Sequence, residues 1–440
     1  MRNVVLVIAV VAAALVAAAP SWAASTVLVT SNANAGPGTL RAAVEKANGD
    51  AGVRTILIRP GLGTITLTEP VVYTGGQDLT LDGSGETVSG AGGDTTAPAN
   101  RTWGGGLFVS NSAADLTLLR TRFTDSFNNG VAVLVPGGAT GAVSVRLLDV
   151  RISGSQFHGL FVDGQSSSGY NTDDEPHASC SDPHPFDSAA SVEVRIQSST
   201  ITGSGDLDPG YDDSLATGCP RDFDGLRVDD GGEGGIDATL LASSFDGNLA
   251  DGVELDESGN GNVVTSVVGS SFDENGDSGA TIDGITDPDD GFDIDEAGEG
   301  SVDARLVNAR VRSNLDEGLD FDEAGAGSVE LRLVNTRSTD NTDENVKVDE
   351  EDAGDVVVTM TNVVIANSED EEGVQLTETG DGNVDVRVVN TSSTGNDKES
   401  FQVDQEDAGA GIARFVNVTF DSMPKVSASG VTVIPASLAS

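Results

Sequence analysis

The sequence predicts an all-β fold, a right-handed parallel β-helix solenoid with coils of about 27 residues and a short N-terminal cap helix. Three observations predict it. The first is a repeat: GFDIDEAGEGSVDARLVN, Gly291 to Asn308, returns as GLDFDEAGAGSVELRLVN, Gly318 to Asn335. Looser copies open at Asn345, Gly373 and Ser400, and earlier ones at Gly225 and Gly252. The fifth position holds Asp295, Asp322, Asp349, Thr377 and Asp404, at steps of 27, 27, 28 and 27 residues. A fixed period in this range marks stacked repeats. The second is alternation. Leu319 and Phe321 alternate with Asp320 and Asp322, and Val329, Leu331 and Leu333 with Glu330 and Arg332. Period two over short segments means half-buried strands. The third is that apolar positions agree between copies. One column reads Leu226, Val253, Phe292, Leu319, Val346, Val374, Phe401; the next reads Val228, Leu255, Ile294, Phe321, Val348, Leu376, Val403.

A weaker third strand begins near Thr336, and Gly325 and Gly327 supply a turn between the first two. Three short strands per repeat fit one coil, each coil resting on the next at about 4.8 Å. At the end of the second strand stand Asn308, Asn335, Asn362, Asn390 and Asn417. Stacked asparagine amides hydrogen-bond up a column and satisfy turn backbone. On these features the chain resembles the right-handed parallel β-helix proteins of the pectin lyase-like class, where such ladders recur. The handedness agrees with the rule for parallel crossovers.

In chain order, residues 1–23 read as a secretory signal. Arg2 is followed by the apolar run Val4 to Ala18 and by Ser21-Trp22-Ala23, small residues suited to cleavage. A transmembrane anchor needs about 20 apolar residues. The chain is therefore expected to be exported, with no membrane span. Residues 25–60 resemble the N-terminal cap of β-helix proteins: a strand from Ser25, a helix in Gly36 to Gly49 with Leu40, Ala43, Val44 and Ala47 on one face, and a strand at Ile56 to Ile58. Irregular coils are expected over 61–158, coils with insertions over 159–290, regular acidic coils over 291–420 and a C-terminal end over 421–440, all in one domain spanning 24–440. The insertions are Gln165 to Ala190, Gly203 to Asp222 and Asp277 to Asp289. The only cysteines, Cys180 and Cys219, fall one in each of the first two. In an exported chain a disulfide between them is expected, two unpaired thiols being the alternative. His158, His177 and His184 lie nearby without a ligand spacing.

The chain carries 71 acidic and 23 basic residues, a net charge of −48. Residues 25–160 hold ten acids and nine bases, so the acidity belongs to the rest. Adaptation to high salt would acidify the whole surface. A nucleic-acid partner is excluded, since such a chain repels phosphate. On the second strand, acids alternate with arginines: Asp303 and Arg305, Glu330 and Arg332, Asp385 and Arg387. On the first strand the outward positions are Arg227 and Asp229, Glu254 and Asp256, Asp293 and Asp295, Asp320 and Asp322, then Lys347 and Asp349. Three consecutive coils carry two carboxylates each and no base. Charges about 4.8 Å apart up a column repel by about 3.5 kcal/mol at an effective dielectric of 20. Such a face takes up protons or binds cations. Calcium suits it, a hard cation with about six to eight oxygen ligands in flexible geometry. The expected ligands are Asp229, Glu254, Asp256, Asp293, Asp295, Asp320 and Asp322, with Asp295-Glu296 and Asp322-Glu323 adding oxygens; a solvated acidic face is the alternative. The nine-residue calcium β-roll rhythm is absent, and Gly291 breaks an EF-hand reading of Asp287 to Glu296.

Two functions follow. One is a monomeric, non-catalytic rod that binds calcium and contacts a polysaccharide or cell-surface glycan. The other is a lyase or hydrolase acting on a uronate polysaccharide. For the latter the resemblance implies calcium on carboxylates and an Arg or Lys base, with Arg227, Asp229 and Asp256 as candidates. The polygalacturonase-like motif order is not kept: Asn171-Thr172-Asp173 follows His158-Gly159, the reverse of that family.

Overall fold

The computed structural model describes residues 25–94, 104–164, 188–205, 223–276, 281–282, 285–286, 289–420 and 426–438. The segment read as a signal, Cys180, Cys219, His177, His184 and Asn171 to Asp173 lie outside these residues, as does most of each insertion.

Each coil lays down one strand in each of three parallel sheets. In one coil these are Leu319–Gly325, Val329–Val334 and Arg337–Thr339, here termed the opening, middle and closing strands. The opening sheet has 12 strands, the middle 14 and the closing 12, each ordered by coil. This is the right-handed parallel β-helix. The register is one coil per step: Phe292 pairs with Leu319 and Ile294 with Phe321 on the opening sheet, Ala304 with Leu331 on the middle. Both apolar columns read from the sequence are inward and fully buried, every member 0% exposed. Each such side chain contributes about 1.5–3 kcal/mol by burial. Stacking extends to rings, with Phe245 on Phe272 at 5.5 Å and Phe272 on Phe292 at 5.2 Å.

The N-terminal end is closed by the helix Leu40–Gly49, whose Thr39 side chain caps it by accepting from the Ala42 amide. Leu40, Ala43, Val44 and Ala47 are buried over the first coil, so the first strands do not end the stack bare. At the other end, Val426–Ser429 and Val431–Ile434 add a last partial coil.

The three corners are built differently. Between middle and closing strands, Asn308, Asn335, Asn362, Asn390 and Asn417 all have φ between 51° and 54°. Asparagine tolerates this left-handed region, and its amide reaches the rung below: Asn362 Nδ2 donates to Asn335 Oδ1 at 3.0 Å, Asn417 to Asn390 at 2.8 Å. A second asparagine ladder, not expected from the sequence, is buried between closing and opening strands. There Asn248 donates to Asn275 Oδ1 at 3.0 Å, Asn275 to Asn314 at 3.1 Å and Asn314 to Asn341 at 3.0 Å. The third corner, from opening to middle strand, is lined by glutamates. Glu257, Glu296, Glu323, Glu350 and Glu378 are 0–1% exposed. Glu296 and Glu323, expected to add oxygens to the outer face, therefore point into the solenoid. The alternation puts Asp295 and Asp322 outward and their neighbours inward.

Candidate functional site

The outward face of the opening sheet changes character along the rod. Near the N-terminal end it is apolar: Val109, Ala132, Leu134 and Phe161 form one buried cluster. The column through Phe161 continues as Arg227, Glu254, Asp293 and Asp320. The parallel column reads Asp163, Asp229, Asp256, Asp295, Asp322 and Asp349. A third acidic column stands at the corner just before each opening strand. It comprises Asp224, Asp251, Asp290, Glu317 and Glu344, linked by backbone bonds such as Gly252 N to the Asp290 carbonyl at 3.1 Å. This column was not expected, although its signal is plain: the residue before the opening position of every repeat from Gly225 to Ser400 is acidic.

The face is far less open than expected. Arg227 is 1% exposed, Asp256 5%, Glu254 6% and Asp320 7%. Asp229, Asp293, Asp295 and Asp322 are half-buried. This burial raises the cost of every uncompensated charge.

The two basic groups of this face stand at its two ends. Arg227 donates from Nε to Asp229 at 2.8 Å and from Nη2 to Asp256 at 2.5 Å, bonds Glu254 through Nη1, and lies 3.6 Å from Asp224. His158, buried and stacked on Phe161, sets its Nδ1 3.1 Å from the Asp224 amide nitrogen and 3.2 Å from Asp224 Oδ2. Its neighbours are thus a backbone amide and a carboxylate, with no second histidine among the described residues. At the far end Lys347 donates to Asp320 at 2.7 Å and lies 3.3 Å from Glu317 and 4.0 Å from Asp322. Burial pulls the Lys347 ammonium down, but Asp320, Asp322 and Glu317 outweigh it and hold it above its ordinary value.

Between these cations the carboxylates crowd. Asp290, Asp293 and Asp320 bring oxygens within 4.8 Å of one another, as do Glu254, Asp256 and Asp293, and Asp224, Asp251 and Glu254. Asp290, Asp316 and Glu317 form a further group on the same corner. Asp295 and Asp322 join none of these groups. Asp290 and Asp320 are nine-tenths buried, and Oδ1 of each has no hydrogen-bond partner. Burial, with Asp295, Asp251, Asp320 and Asp256 around it, holds Asp293 well above the usual carboxylate range. Asp290 is likewise raised, by burial and then by Glu317. Burial and Glu317 lift Asp320 to about 7, against the pull of Lys347. A donor set made only of oxygens, with buried members lacking a donor, fits a hard cation of the calcium class. It does not offer the nitrogen or sulfur that a transition metal prefers.

No protein-family model matches the chain, and no curated protein sequence matches it. Solved structures similar in fold include the A-module of the Azotobacter vinelandii mannuronan C-5 epimerase AlgE4. The two share 9% identity at a TM-score of 0.44, covering 93% of this chain and 100% of the module. The periplasmic alginate epimerase AlgG is similar at 10% identity and TM-score 0.40, covering 85% of this chain and 79% of its own. Pectate lyase Pel9A is similar at 11% identity and TM-score 0.28, covering 95% and 80%. The likeness lies in the course of the chain, and no residue role passes to this protein from it.

Proposed function

We propose that this protein is an exported β-helix rod whose opening-sheet face holds calcium and, through it, binds anionic polysaccharide or cell-surface glycan. One observation carries the reading: Asp290, Asp293 and Asp320 bring oxygens within 4.8 Å of one another between the face's two basic groups, and the buried Asp290 and Asp320 each keep one oxygen, Oδ1, without a hydrogen-bond donor. Asp290, Asp293 and Asp320 hold the ion, with Glu254 and Asp256 beside them. The calcium ion supplies charge that cancels the lattice's repulsion and offers coordination positions to a glycan carboxylate. Arg227 and Lys347 end the lattice as fixed internal cations.

The alternative, a lyase or hydrolase using Arg227, Asp229 and Asp256, draws no support from Arg227. A guanidinium 1% exposed and bonded to three carboxylates is poorly placed to take a proton from a substrate. The environment supports a counter-ion role. The test measures thermal unfolding at fixed ionic strength with calcium titrated against chelator, then binding of a uronate polymer and a neutral polymer with and without calcium. Calcium should raise the midpoint at concentrations where sodium does nothing, since screening needs on the order of 0.1 M salt. Uronate binding should depend on calcium. If calcium shifts the midpoint no more than matched sodium, the reading fails. If unsaturated or hydrolysed products accumulate, the enzyme alternative takes its place.

A further inference from the structure

The outward wall of the middle sheet carries two columns that take no part in the opening-sheet site. One is basic. Arg146 pairs in register with Arg195, and after two neutral rungs the column continues as Arg305 and Arg332, then Arg387 and Arg414, with Thr359 between these two pairs. The other column is apolar and lies two residues further along each strand. It runs nine rungs from Leu148 to Val416, interrupted only by Gln197 and Thr361. Leu148 is 43% exposed and Val416 54%, while Val307, Val334 and Val389 are half-buried. A contiguous apolar line facing water beside a row of charge marks a contact surface.

Two further observations concern these arginines. Arg146 meets Asp115 at 3.3 Å and Arg414 meets Asp385 at 2.7 Å. Among the described residues Arg195, Arg305, Arg332 and Arg387 make no ion pair and no hydrogen bond, although an acid stands two residues before each on the same strand. Their guanidinium donors therefore face solvent. The second observation is an open cleft of about 490 Å³ where the columns meet, lined by Val357, Thr359, Asp385, Arg387, Arg414 and Val416. Val357 and Thr359 stand in register between Glu330 and Arg332 of the preceding coil and Asp385 and Arg387 of the next. Their short side chains lower the wall at that rung, with two guanidiniums on one side of the dip and Val416 beside it.

From these we infer a second binding site: the middle-sheet wall takes a linear acidic polysaccharide lying along the rod, held by the arginine and apolar columns together and without calcium. The planar guanidinium fork matches a carboxylate or sulfate. Each acidic sugar offers one such anion to the fork and an apolar C–H face to the valines. A single exposed ion pair is worth little, so the strength comes from repetition, with rungs at about 4.8 Å. A flat anionic membrane fits this wall less well. It would also cover Asp303, Glu330 and Asp385, about 6–7 Å from the arginines, and set them against lipid phosphate. A chain narrower than the sheet leaves those acids in water. At the opening face the glycan contact runs through calcium, whereas here the protein's own cations make it, so either site can fail without the other.

The experiment measures binding in chelator to three full-length proteins. These are the wild type, the wall variant Arg332→Gln with Arg387→Gln, and the opening-face variant Asp293→Asn with Asp320→Asn. The probes are a uronate polymer, a sulfated glycan, a neutral polysaccharide, inorganic polyphosphate, and vesicles of phosphatidylcholine with phosphatidylserine. The wild type and the opening-face variant should bind an acidic polysaccharide equally, and the tighter of the two polymers names the anion. The wall variant should bind it roughly five- to tenfold more weakly, the loss of two exposed ion pairs. Both substituted arginines are exposed and unpaired, so its unfolding midpoint should match the wild type. No binding of either acidic polysaccharide in chelator, or equal binding by the wall variant, overturns the inference. So does polyphosphate binding as tightly as the polysaccharides, which would leave the apolar column without a role, or capture by vesicles in place of the polymers. Adding calcium should strengthen uronate binding to the wild type and the wall variant but not to the opening-face variant. Absence of that increment bears on the opening face and leaves the wall standing.

Discussion

The outward faces of the opening and middle sheets are made the same way, by strands of alternating period in the same coils, and they differ in one respect. On the middle sheet Asp303, Glu330 and Asp385 each have an arginine two residues on, Arg305, Arg332 and Arg387, and all six are exposed. Contact is incidental there: Asp385 pairs with Arg414 of the next coil at 2.7 Å rather than with Arg387 of its own strand. On the opening sheet charge is balanced only at the ends of the lattice, by Arg227 and Lys347, and the acids between are buried or half-buried. Solvent screens the first arrangement and makes its ion pairs worth little. Burial makes the second dependent on whatever supplies positive charge. The same alternation is therefore a solvated wall of matched charges in one place and a buried, uncompensated acidic lattice in the other.

The strongest way to break this contrast is to remove a lattice-end cation. Arg227→Met should destabilise the protein by about 3–5 kcal/mol, because it strands buried carboxylates that Arg227 now bonds; denaturant unfolding measures it. The loss should shrink when calcium is added. A cost below 1 kcal/mol would mean that the lattice is not electrostatically strained.

Next comes calcium itself. An ion that binds only the folded face should add about 2.7 kcal/mol at a free concentration a hundredfold above its dissociation constant. Asp293→Asn with Asp320→Asn should abolish most of that gain, and without calcium should be neutral or stabilising, since it removes like charges. Calorimetric scans with and without chelator separate the two effects.

A pH series on the chelated protein sharpens the comparison further. Asp320 has a folded value of about 7 against 3.8, so between these values the native state holds more protons than the unfolded one. Its contribution is thus fully present below about pH 3.8 and is lost as pH rises through about 7. The midpoint should fall with rising pH across this window in chelator and flatten when calcium replaces the protons. A midpoint that rises with pH would contradict the burial of this face. The smallest effect belongs to the middle sheet. Arg332→Met should change stability by no more than about 0.5 kcal/mol, with no change in the calcium response.

Much of this was legible in the sequence. Period two assigned the strands, and the repeat aligned Leu226 with Phe401 through five intermediate coils. Asn308 and its equivalents announced the exposed ladder, because these are local signals that recur every coil. The acids of the opening strand were legible as a cluster, but not their surroundings. Whether Asp320 meets water depends on what packs over the face, and no pattern within a repeat encodes it. The same limit hid the surroundings of Arg227, read as a candidate catalytic base and found bonded to Asp229, Glu254 and Asp256.

What the sequence alone determined is the periodic part: strand, coil length, inward apolar columns, cap helix and the location of the acid. Each follows from interactions between residues close in the chain or equivalent in the repeat. Only the tertiary structure decided which side of the wall each carboxylate occupies and how deeply it lies. Asp322 and Glu323 are neighbours of like charge, yet one faces out beside Lys347 and the other is buried at the corner, accepting from the Gly327 amide at 2.8 Å. Stacking fixes that difference, because the coils on either side create the burial, and burial sets the cost of a charge.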